Sequence, residues 1–420
     1  MIQQVGRKLR SQIHQFSGEL CTGLGKVDAR FTEEMIYGMC AGGSVLLTEV
    51  GRALEEPISL HATHKRLSAN LAHPKLEKVI AASVLGQAAK RIRDNTLLIV
   101  DPSDITKKYA QKMEYLAEVR DASEKKLGNG YWMCEVIGCE VGSSDITPIA
   151  QTLWSQEAPD FVSENEHILS LVERVLEATR YRGILVYDRG GDRREFLCPW
   201  TADRRIRYMV RQRGDRHLLY RGRLQSGLRL AQGCKTPYAE TIIKHKDGVE
   251  KVYHLQFGFV PVRLVEHPER QLWLLVIKGY GAKPLMVLTT EPMRRNRKVL
   301  SRAVEAYLTR WRVEDTIRFI KQSYELENVR VLTWRRLKNL VTLLLAVAYF
   351  TAVRLGATAK LKILMLHALG AAKRLFGVPD FHFYALADGM KDILHKAAKG
   401  TLYSREKKIP LDPQLPLFES

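Results

Sequence analysis

The chain has 420 residues, which is more than one ordinary hydrophobic core accommodates, so two or three domains are expected. Hydrophobic residues make up 45% and charged residues 27%, the composition of a soluble globular protein. Lysine and arginine total 66 against 46 acidic residues, which gives a net charge of +20. Because such an excess attracts polyanions, nucleic acid is the leading partner, although ribosomal and membrane-surface proteins are equally basic.

The cysteines and the apolar segments exclude several classes of protein. The six cysteines are scattered, without a CxxC pair or a histidine at zinc-ligand spacing, so free thiols in a reducing cytosol are expected. The N-terminus has no apolar core of signal-peptide length. The apolar stretch 340–353 is shorter than the roughly 20 residues that span a bilayer, so it predicts a buried core helix and no membrane partner.

Residues 1–93 are predicted to be a helical N-terminal region. The dipeptide Glu56-Pro57 separates two short amphipathic stretches, because proline cannot continue a helix, and Ser59 is a candidate cap for the second stretch, 60–71. This arrangement is typical of a DNA-binding helix-turn-helix, although two helices joined by a proline turn are also common as plain scaffold. The candidate DNA contacts on the second helix are His64, Lys65 and Arg66.

From Thr96 onward, strands and helices alternate. The runs TLLIVD and GILVYD predict buried strands, two β-rich runs between them suggest a hairpin, and Ser163 begins a capping box. The order β, β, β, α, β, α, β predicts an α/β fold with a ribonuclease-H-like mixed sheet over residues 94–335. Short β-like runs at about 213–290 predict a β-rich insertion. Residues 336–420 are predicted to be a helical C-terminal region, which is a candidate for dimerisation.

Two aspartates, Asp101 and Asp188, directly follow the buried strands. A strand end lets a carboxylate leave the core and face a cleft while it stays rigidly placed. Magnesium prefers oxygen ligands, and phosphodiester cleavage commonly uses two such ions. Each aspartate also fits the start of a turn, and Asp104 is an alternative to Asp101.

A third carboxylate lies in the segment YLTRWRVEDTIRFIKQ, which predicts one helix. At about 100° per residue, four of its side chains fall within a sector of about 60°. These side chains belong to Tyr307, Arg310, Glu314 and Lys321, and Arg318 lies on the same edge. A stripe with one acid, several bases and a tyrosine suits a metal ligand flanked by phosphate-binding groups, while a solvated face with ion pairs is the alternative.

This stripe, written Y-x2-R-x3-E-x6-K, resembles the Y-R-E-K signature of the IS4-type (DDE) insertion-sequence transposases. The resemblance covers most of the chain and includes DPSDITKKYA, GNGYW and YDRGGDRREF around the strands and hairpin. It implies three metal-coordinating carboxylates, those of Asp101, Asp188 and Glu314. It also implies phosphate-binding side chains, those of Tyr307, Arg310 and Lys321. Two Mg²⁺ ions would be bound, and Mn²⁺ can substitute in such a site.

The resemblance further implies cut-and-paste transposition by a homodimer that synapses two ends of double-stranded DNA. Water would expose a 3′-hydroxyl at the terminal inverted repeats, a hairpin would form and reopen, and the hydroxyl would attack target DNA. The expected location is the prokaryotic cytoplasm, in association with the nucleoid. Trp273 is the candidate for stacking on a flipped base, with a core role as the alternative. The alternative functions are a DNA-binding protein without cleavage activity and a ribonuclease-H-like nuclease without strand transfer.

Overall fold

The computed structural model describes residues 2–120, 126–143, 145–246, 249–310, 323–370 and 383–397. The N-terminal region consists of α1 (Ile2–Leu20), α2 (Lys26–Gly42), α3 (Leu47–Leu54), α4 (Leu60–Asn70) and α5 (Leu76–Ala89). The predicted cap of α4 is confirmed, because the Ser59 side chain accepts a hydrogen bond from the amide of Ala62 at 3.2 Å. The predicted helical region is therefore present, with the proline turn between α3 and α4.

The central part of the chain alternates strands and helices. Its strands are β1 (Leu97–Thr106), β2 (Ala117–Arg120), β3 (Leu127–Cys139), β4 (Ile146–Trp154), β5 (Ile184–Tyr187) and β6 (Tyr208–Arg211). Its helices are α6 (Glu164–Ala178) and α7 (Arg194–Ala202). The predicted capping box begins α6, where the Ser163 hydroxyl accepts a hydrogen bond from the amide of Glu166 at 3.1 Å.

The strands combine into one mixed sheet. Strand β1 pairs antiparallel with β3 and parallel with β5, and β5 pairs parallel with β6. Strands β3 and β4 form the predicted hairpin. This order, β4-β3-β1-β5-β6, confirms the predicted mixed α/β fold with a ribonuclease-H-like core and helical regions at both ends of the chain. The paired residues of β1 and β5 are buried, as their almost continuous apolar sequences predict.

The β-rich insertion is present, and most of it continues the central sheet. It contains β7 (His217–Tyr220), β8 (Arg223–Ser226), α8 (Gly227–Gly233), β9 (Tyr238–Lys246), β10 (Val249–Val262), β11 (Leu272–Lys278) and β12 (Leu285–Thr289). Strands β7 and β8 form a separate hairpin, whereas β12 pairs with β6 and extends the sheet in the order β6-β12-β11-β10-β9. Pairing with β12 removes the open edge that β6 would otherwise present.

The C-terminal helices share a hydrophobic core with the N-terminal ones. After α9 (Arg297–Thr309) come α10 (Trp334–Tyr349), a π-helical turn (Phe350–Arg354), α11 (Gly356–Gly370) and α12 (Phe383–Ala397). The ring of Phe16 in α1 lies 6.0 Å from that of Tyr349 and 5.6 Å from that of Phe350. The stretch Trp334–Arg354 is long and apolar enough to cross a membrane, but 83% of its apolar window is buried, which confirms the predicted core helix.

Candidate active site

The sheet register brings Asp101 and Asp188 together. The parallel ladder of β1 and β5 ends with the pair Val100 and Tyr187, and each of these residues is followed by an aspartate. The two carboxylates therefore start from neighbouring positions on adjacent strands, which lie about 4.8 Å apart. They are separated by 87 residues in sequence and meet only because the two strands run parallel.

The sequence predicted Asp101 at the end of a strand, but in the structure it lies within β1. The ladder with β3 continues from Asp101, opposite Glu135, to Thr106, opposite Gly130. Only the pairing with β5 stops before Asp101. The following Pro102 has no amide hydrogen to donate to a neighbouring strand, which suits the end of a ladder. Asp101 is thus held by the pairing with β3 on one side, while the pairing with β5 on the other side ends one residue before it.

A tight turn fixes the carboxylate of Asp188. Its Oδ1 accepts a hydrogen bond from the amide of Gly190 at 2.6 Å and so caps the 3₁₀ turn Arg189–Gly191. A Cβ atom on Gly191 would lie 2.7 Å from the ring of Tyr187, closer than real contacts allow, so glycine is required there. Because the ring of Tyr187 is fully buried, the turn is anchored in the core and the orientation of Asp188 is fixed with it.

The end of α9 brings Arg310 and Tyr307 to the same carboxylates. Arg310 is 4% exposed, and its Nη1 lies 3.7 Å from Oδ1 of Asp101. Burial raises the pKa of Tyr307, while the positive charges of Arg310 and Arg211 act to lower it and the charge of Asp188 acts to raise it. These influences identify Tyr307, Arg310, Asp101 and Asp188 as neighbours in one partly buried, charged site.

Two further residues of this site were not identified from the sequence. Glu135 is 2% exposed and lies directly across the β1–β3 ladder from Asp101, so both side chains are on one face of the sheet. Arg211 ends β6 one position beyond the pair Tyr187 and Val210, which places it beside Asp188. Two sequence signals could have identified these residues. Glu135 is a charged residue within the apolar run of β3, and Arg211 ends the strand sequence YMVR, much as Asp188 follows the strand sequence ILVY.

The neighbouring acids Asp104 and Asp192 are placed differently. Asp104 is three residues from Asp101 on the same strand, so it points to the opposite face, and it accepts a hydrogen bond from the Thr106 hydroxyl at 2.8 Å. The Asp192 carboxylate is buried and binds Arg216 and the amide of Arg213. Asp192 therefore has a structural role in the turn after β5.

Several predicted site residues lie away from these carboxylates or outside the described residues. Glu314, Arg318 and Lys321 fall in the segment 311–322, which is not among the described residues. Trp273 is half-buried in β11, between Pro261 and Thr289, which are its partners on the two flanking strands. Along the row of paired residues, Trp273 is level with Met209 and Val186. This row lies two positions before Asp188, and Trp273 is three strands away from β5.

The N-terminal candidates differ in how accessible they are. On α4, Lys65 is exposed and His64 half-buried, whereas Arg66 is engaged within the protein. The guanidinium of Arg66 binds Glu34, which is 2% exposed, and makes two hydrogen bonds to Glu56 at 2.8 and 2.9 Å. Lys65 is therefore free of the internal network that binds Arg66.

The two carboxylates supply oxygen donors of the kind that Mg²⁺ prefers. Within the described ranges there is no group of three or more histidine, cysteine, aspartate or glutamate side chains that could bind a metal ion. Asp101 and Asp188 can thus each supply one or two of the coordinating oxygens of a divalent cation, and the remaining coordination positions need a further ligand. Buried Cys134 is a poor ligand, because burial and the charges of Asp101 and Glu135 raise the pKa of its thiol well above the usual value.

Comparisons with known proteins indicate the family of the chain. A family model described as the transposase DDE domain matches residues 92–350. Seven chains of solved structures match, and one of them is a cryo-EM structure of a piggyBac transposase synaptic complex with hairpin DNA. That chain has a TM-score of 0.46 and 10% sequence identity, over 96% of this chain and 80% of the other. No curated protein matches at a significant level.

Proposed function

Because the chain belongs to the family of transposases with a DDE domain, we propose that it catalyses metal-dependent cut-and-paste transposition of an IS4-type insertion sequence. Its catalytic carboxylates are then Asp101, Asp188 and Glu314. The observation that carries the proposal is the register of β1 and β5, which juxtaposes the first two carboxylates with Arg310 beside them. Oxygen ligands in this number suit two Mg²⁺ ions.

The described residues support a phosphate-binding role for this site. The guanidinium of Arg310 lies beside Asp101, and Arg211 ends β6 next to the position of Asp188. Both arginines can therefore offer charge-assisted hydrogen bonds to phosphate oxygens. The phenol of Tyr307 lies among these groups, and its raised pKa keeps it protonated as a hydrogen-bond donor. Lys321 and Arg318 extend this phosphate-binding set in the proposal. When bound at the carboxylates, divalent cations activate the attacking hydroxyl and stabilise the leaving oxygen.

The carboxylate environment favours repeated use of one site. Asp101 is fixed by a strand and Asp188 by a capped turn, so neither side chain needs to reorganise between phosphoryl-transfer steps. End cleavage, hairpin formation and opening, and strand transfer are each in-line displacements at a phosphate, which one arrangement of ligands serves. Double-stranded DNA, at the terminal inverted repeats and at the target, is the proposed substrate, and a homodimer synapses two ends.

Other regions have supporting roles in this proposal. Residues 1–93 contact DNA through exposed Lys65 and half-buried His64 on α4, while Arg66 stabilises that helix. Trp273 stacks on a flipped base if the DNA strand extends across the sheet to the start of β11. Residues 94–335 form the catalytic domain, and 336–420 take part in dimerisation.

The proposal is tested by cleavage of DNA that carries the terminal inverted repeats of the element. Asp188→Ala and Glu314→Ala are each expected to abolish Mg²⁺-dependent cleavage, while DNA binding is retained. Asp145→Ala is a matched control, since the Asp145 side chain is 76% exposed and distant in sequence from both strand ends. Cleavage by either site variant at the wild-type rate would reject the site, and cleavage without capture of the ends in a target plasmid would indicate a nuclease.

A further inference from the structure

A cavity lies on the carboxylate face of the sheet. It has a volume of about 550 Å³ and is bounded by the start of α5, the segment before β2 and the first turn of α10. Along β1, Asp101 and Ile105 point to the same face, and Ile105 pairs with Tyr131. The ring of Trp334, which lines the cavity, stacks on Tyr131 with 5.2 Å between ring centroids. Four strand residues cover about 13 Å, so Ile105 lies about that far along the face from Asp101. The cavity lies next to this position, because Trp334 stacks on the Tyr131 partner of Ile105.

Aromatic and basic side chains alternate in the lining of this cavity. The rings of Trp334 and Tyr115 meet edge to face at 6.4 Å, and Tyr115 is 37% exposed. Lys338 places its Nζ 5.7 Å from the centroid of the Trp334 ring, and Arg335 is exposed beside it. This combination is the one by which proteins bind single-stranded nucleic acid, with bases stacked on rings and phosphates bound by cations.

The acids in the lining compensate only part of this positive charge. Oε2 of Glu114 accepts a hydrogen bond from the amide of Trp334 at 2.8 Å, so it caps α10. Glu77 lies 3.7 Å from the Nζ of Lys338. Arg336 donates to the carbonyl of Ser68 at 2.9 Å, which fixes the base of the cavity. Arg335 is the lining cation for which no internal acceptor is found in the described part of the chain.

Two features indicate that the cavity takes a ligand. Trp334 is 8% exposed, and its indole N–H has no hydrogen-bond acceptor among the described residues. A buried donor without an acceptor is unfavourable, and an acceptor atom of a nucleobase would satisfy it. Tyr115 has φ of 53°, a left-handed conformation that is strained for a residue with a side chain. Such strain is concentrated at functional sites.

We propose that this cavity binds one unpaired nucleotide of the DNA strand that passes the carboxylates. Its base lies against Tyr115 and Trp334, and its phosphate lies near Arg335 and Lys338. A base within a duplex has both faces covered by its neighbours, so contact with these rings requires a nucleotide outside the stack. The inference rests on the proposed function for the identity of the polymer as DNA.

The test compares the binding of two DNA probes by the full-length chain in EDTA, so that no cleavage occurs. One probe is a blunt duplex, and the other is the same duplex with a short single-stranded extension. Wild-type protein is expected to bind the extended probe about tenfold more tightly, the effect of one stacked base. Tyr115→Leu and Arg335→Gln should each remove most of this preference. Tyr109→Leu is the matched control, since Tyr109 is 69% exposed and does not line the cavity.

A second variant separates loss of binding from loss of folding. Tyr115→Gly removes the ring and also relieves the left-handed strain, so its melting temperature should not fall while the preference is lost. An undiminished preference in Tyr115→Gly, or an equal loss in Tyr109→Leu, would overturn the proposal. So would equal binding of both probes by the wild type. Asp188→Ala should retain the preference, so a failed cleavage test would leave this result unaffected.

Discussion

Substitution of Arg66 decides between two roles for the second helix of the predicted helix-turn-helix. If Arg66 contacted DNA, Arg66→Ala would weaken DNA binding and leave stability unchanged. The structure instead shows the Arg66 guanidinium between Glu34, which is 2% exposed, and Glu56, which is 12% exposed at its side chain. We therefore expect a loss of stability as the main effect.

The size of that loss follows from what the substitution leaves behind. Removing one partner of a buried ion pair costs about 3–5 kcal/mol, because the remaining charge is buried without compensation. Arg66 is 30% exposed at its side chain, and Arg30 also contacts Glu34 at 2.7 Å and Glu56 at 3.7 Å. Solvent and Arg30 thus compensate part of the charge, and about 2 kcal/mol is the expected decrease in the free energy of unfolding.

Urea unfolding and DNA affinity are measured on the same preparations. Lys65→Ala is the matched control, because Lys65 is the exposed neighbour on the same helix. It should change the free energy of unfolding by less than about 0.5 kcal/mol and lower DNA affinity if α4 faces the DNA. A stable Arg66→Ala protein with weakened DNA binding would refute the structural role and restore Arg66 as a DNA contact.

Three further predictions concern Arg310, Asn339 and Lys107. Arg310→Gln removes the cation 3.7 Å from Asp101 and should slow single-turnover cleavage by about 10²-fold. Arg302→Gln, at an exposed position, should leave the cleavage rate unchanged, and equal rates for the two variants would contradict the role of Arg310. The side-chain amide of Asn339 donates to the carbonyls of Leu71 and His73, and its oxygen accepts from the backbone amide of Glu77, at 2.7–3.0 Å. Asn339→Ala should therefore lower the free energy of unfolding in urea by about 2 kcal/mol, and an unchanged value would contradict this. Burial lowers the pKa of Lys107 to about 7, although the charge of Glu327 opposes this. Between pH 7 and about 10 the unfolded chain then binds more protons, so the free energy of unfolding should rise with pH more in wild type than in Lys107→Met; identical slopes would exclude that pKa.

The strands and caps were predictable from local sequence. The runs ending in Asp101 and Asp188 are apolar on both faces, which indicates burial on both sides and hence parallel pairing. Ser59 and Ser163 cap α4 and α6 because a side-chain oxygen satisfies an amide at the start of a helix. Such signals depend on a few neighbouring residues, so one sequence is sufficient.

The remaining features depend on pairs that are distant in sequence. Glu135 faces Asp101 only through the register of β1 and β3, and Arg211 lies beside Asp188 only because β6 is parallel to β5. The continuation of the sheet through β12 and the internal ion pairs of Arg66 are of the same kind. A residue's periodicity does not state which strand or carboxylate it meets. The charge of Arg66 was therefore interpreted as a DNA contact, whereas in the structure it binds Glu34 and Glu56.

The contacts on either side of the segment 311–322 involve one strand. Before the segment, Arg310 lies 3.7 Å from Asp101, and after it the carbonyl of Leu326 accepts a hydrogen bond from the ammonium group of Lys107. Asp101 belongs to β1, and Lys107 follows its last residue directly. The two residues are six positions apart, which corresponds to about 20 Å of extended chain. The described residues on both sides of the segment therefore contact β1 or the residue that follows it, so the two ends of the segment are tied to the strand that carries Asp101.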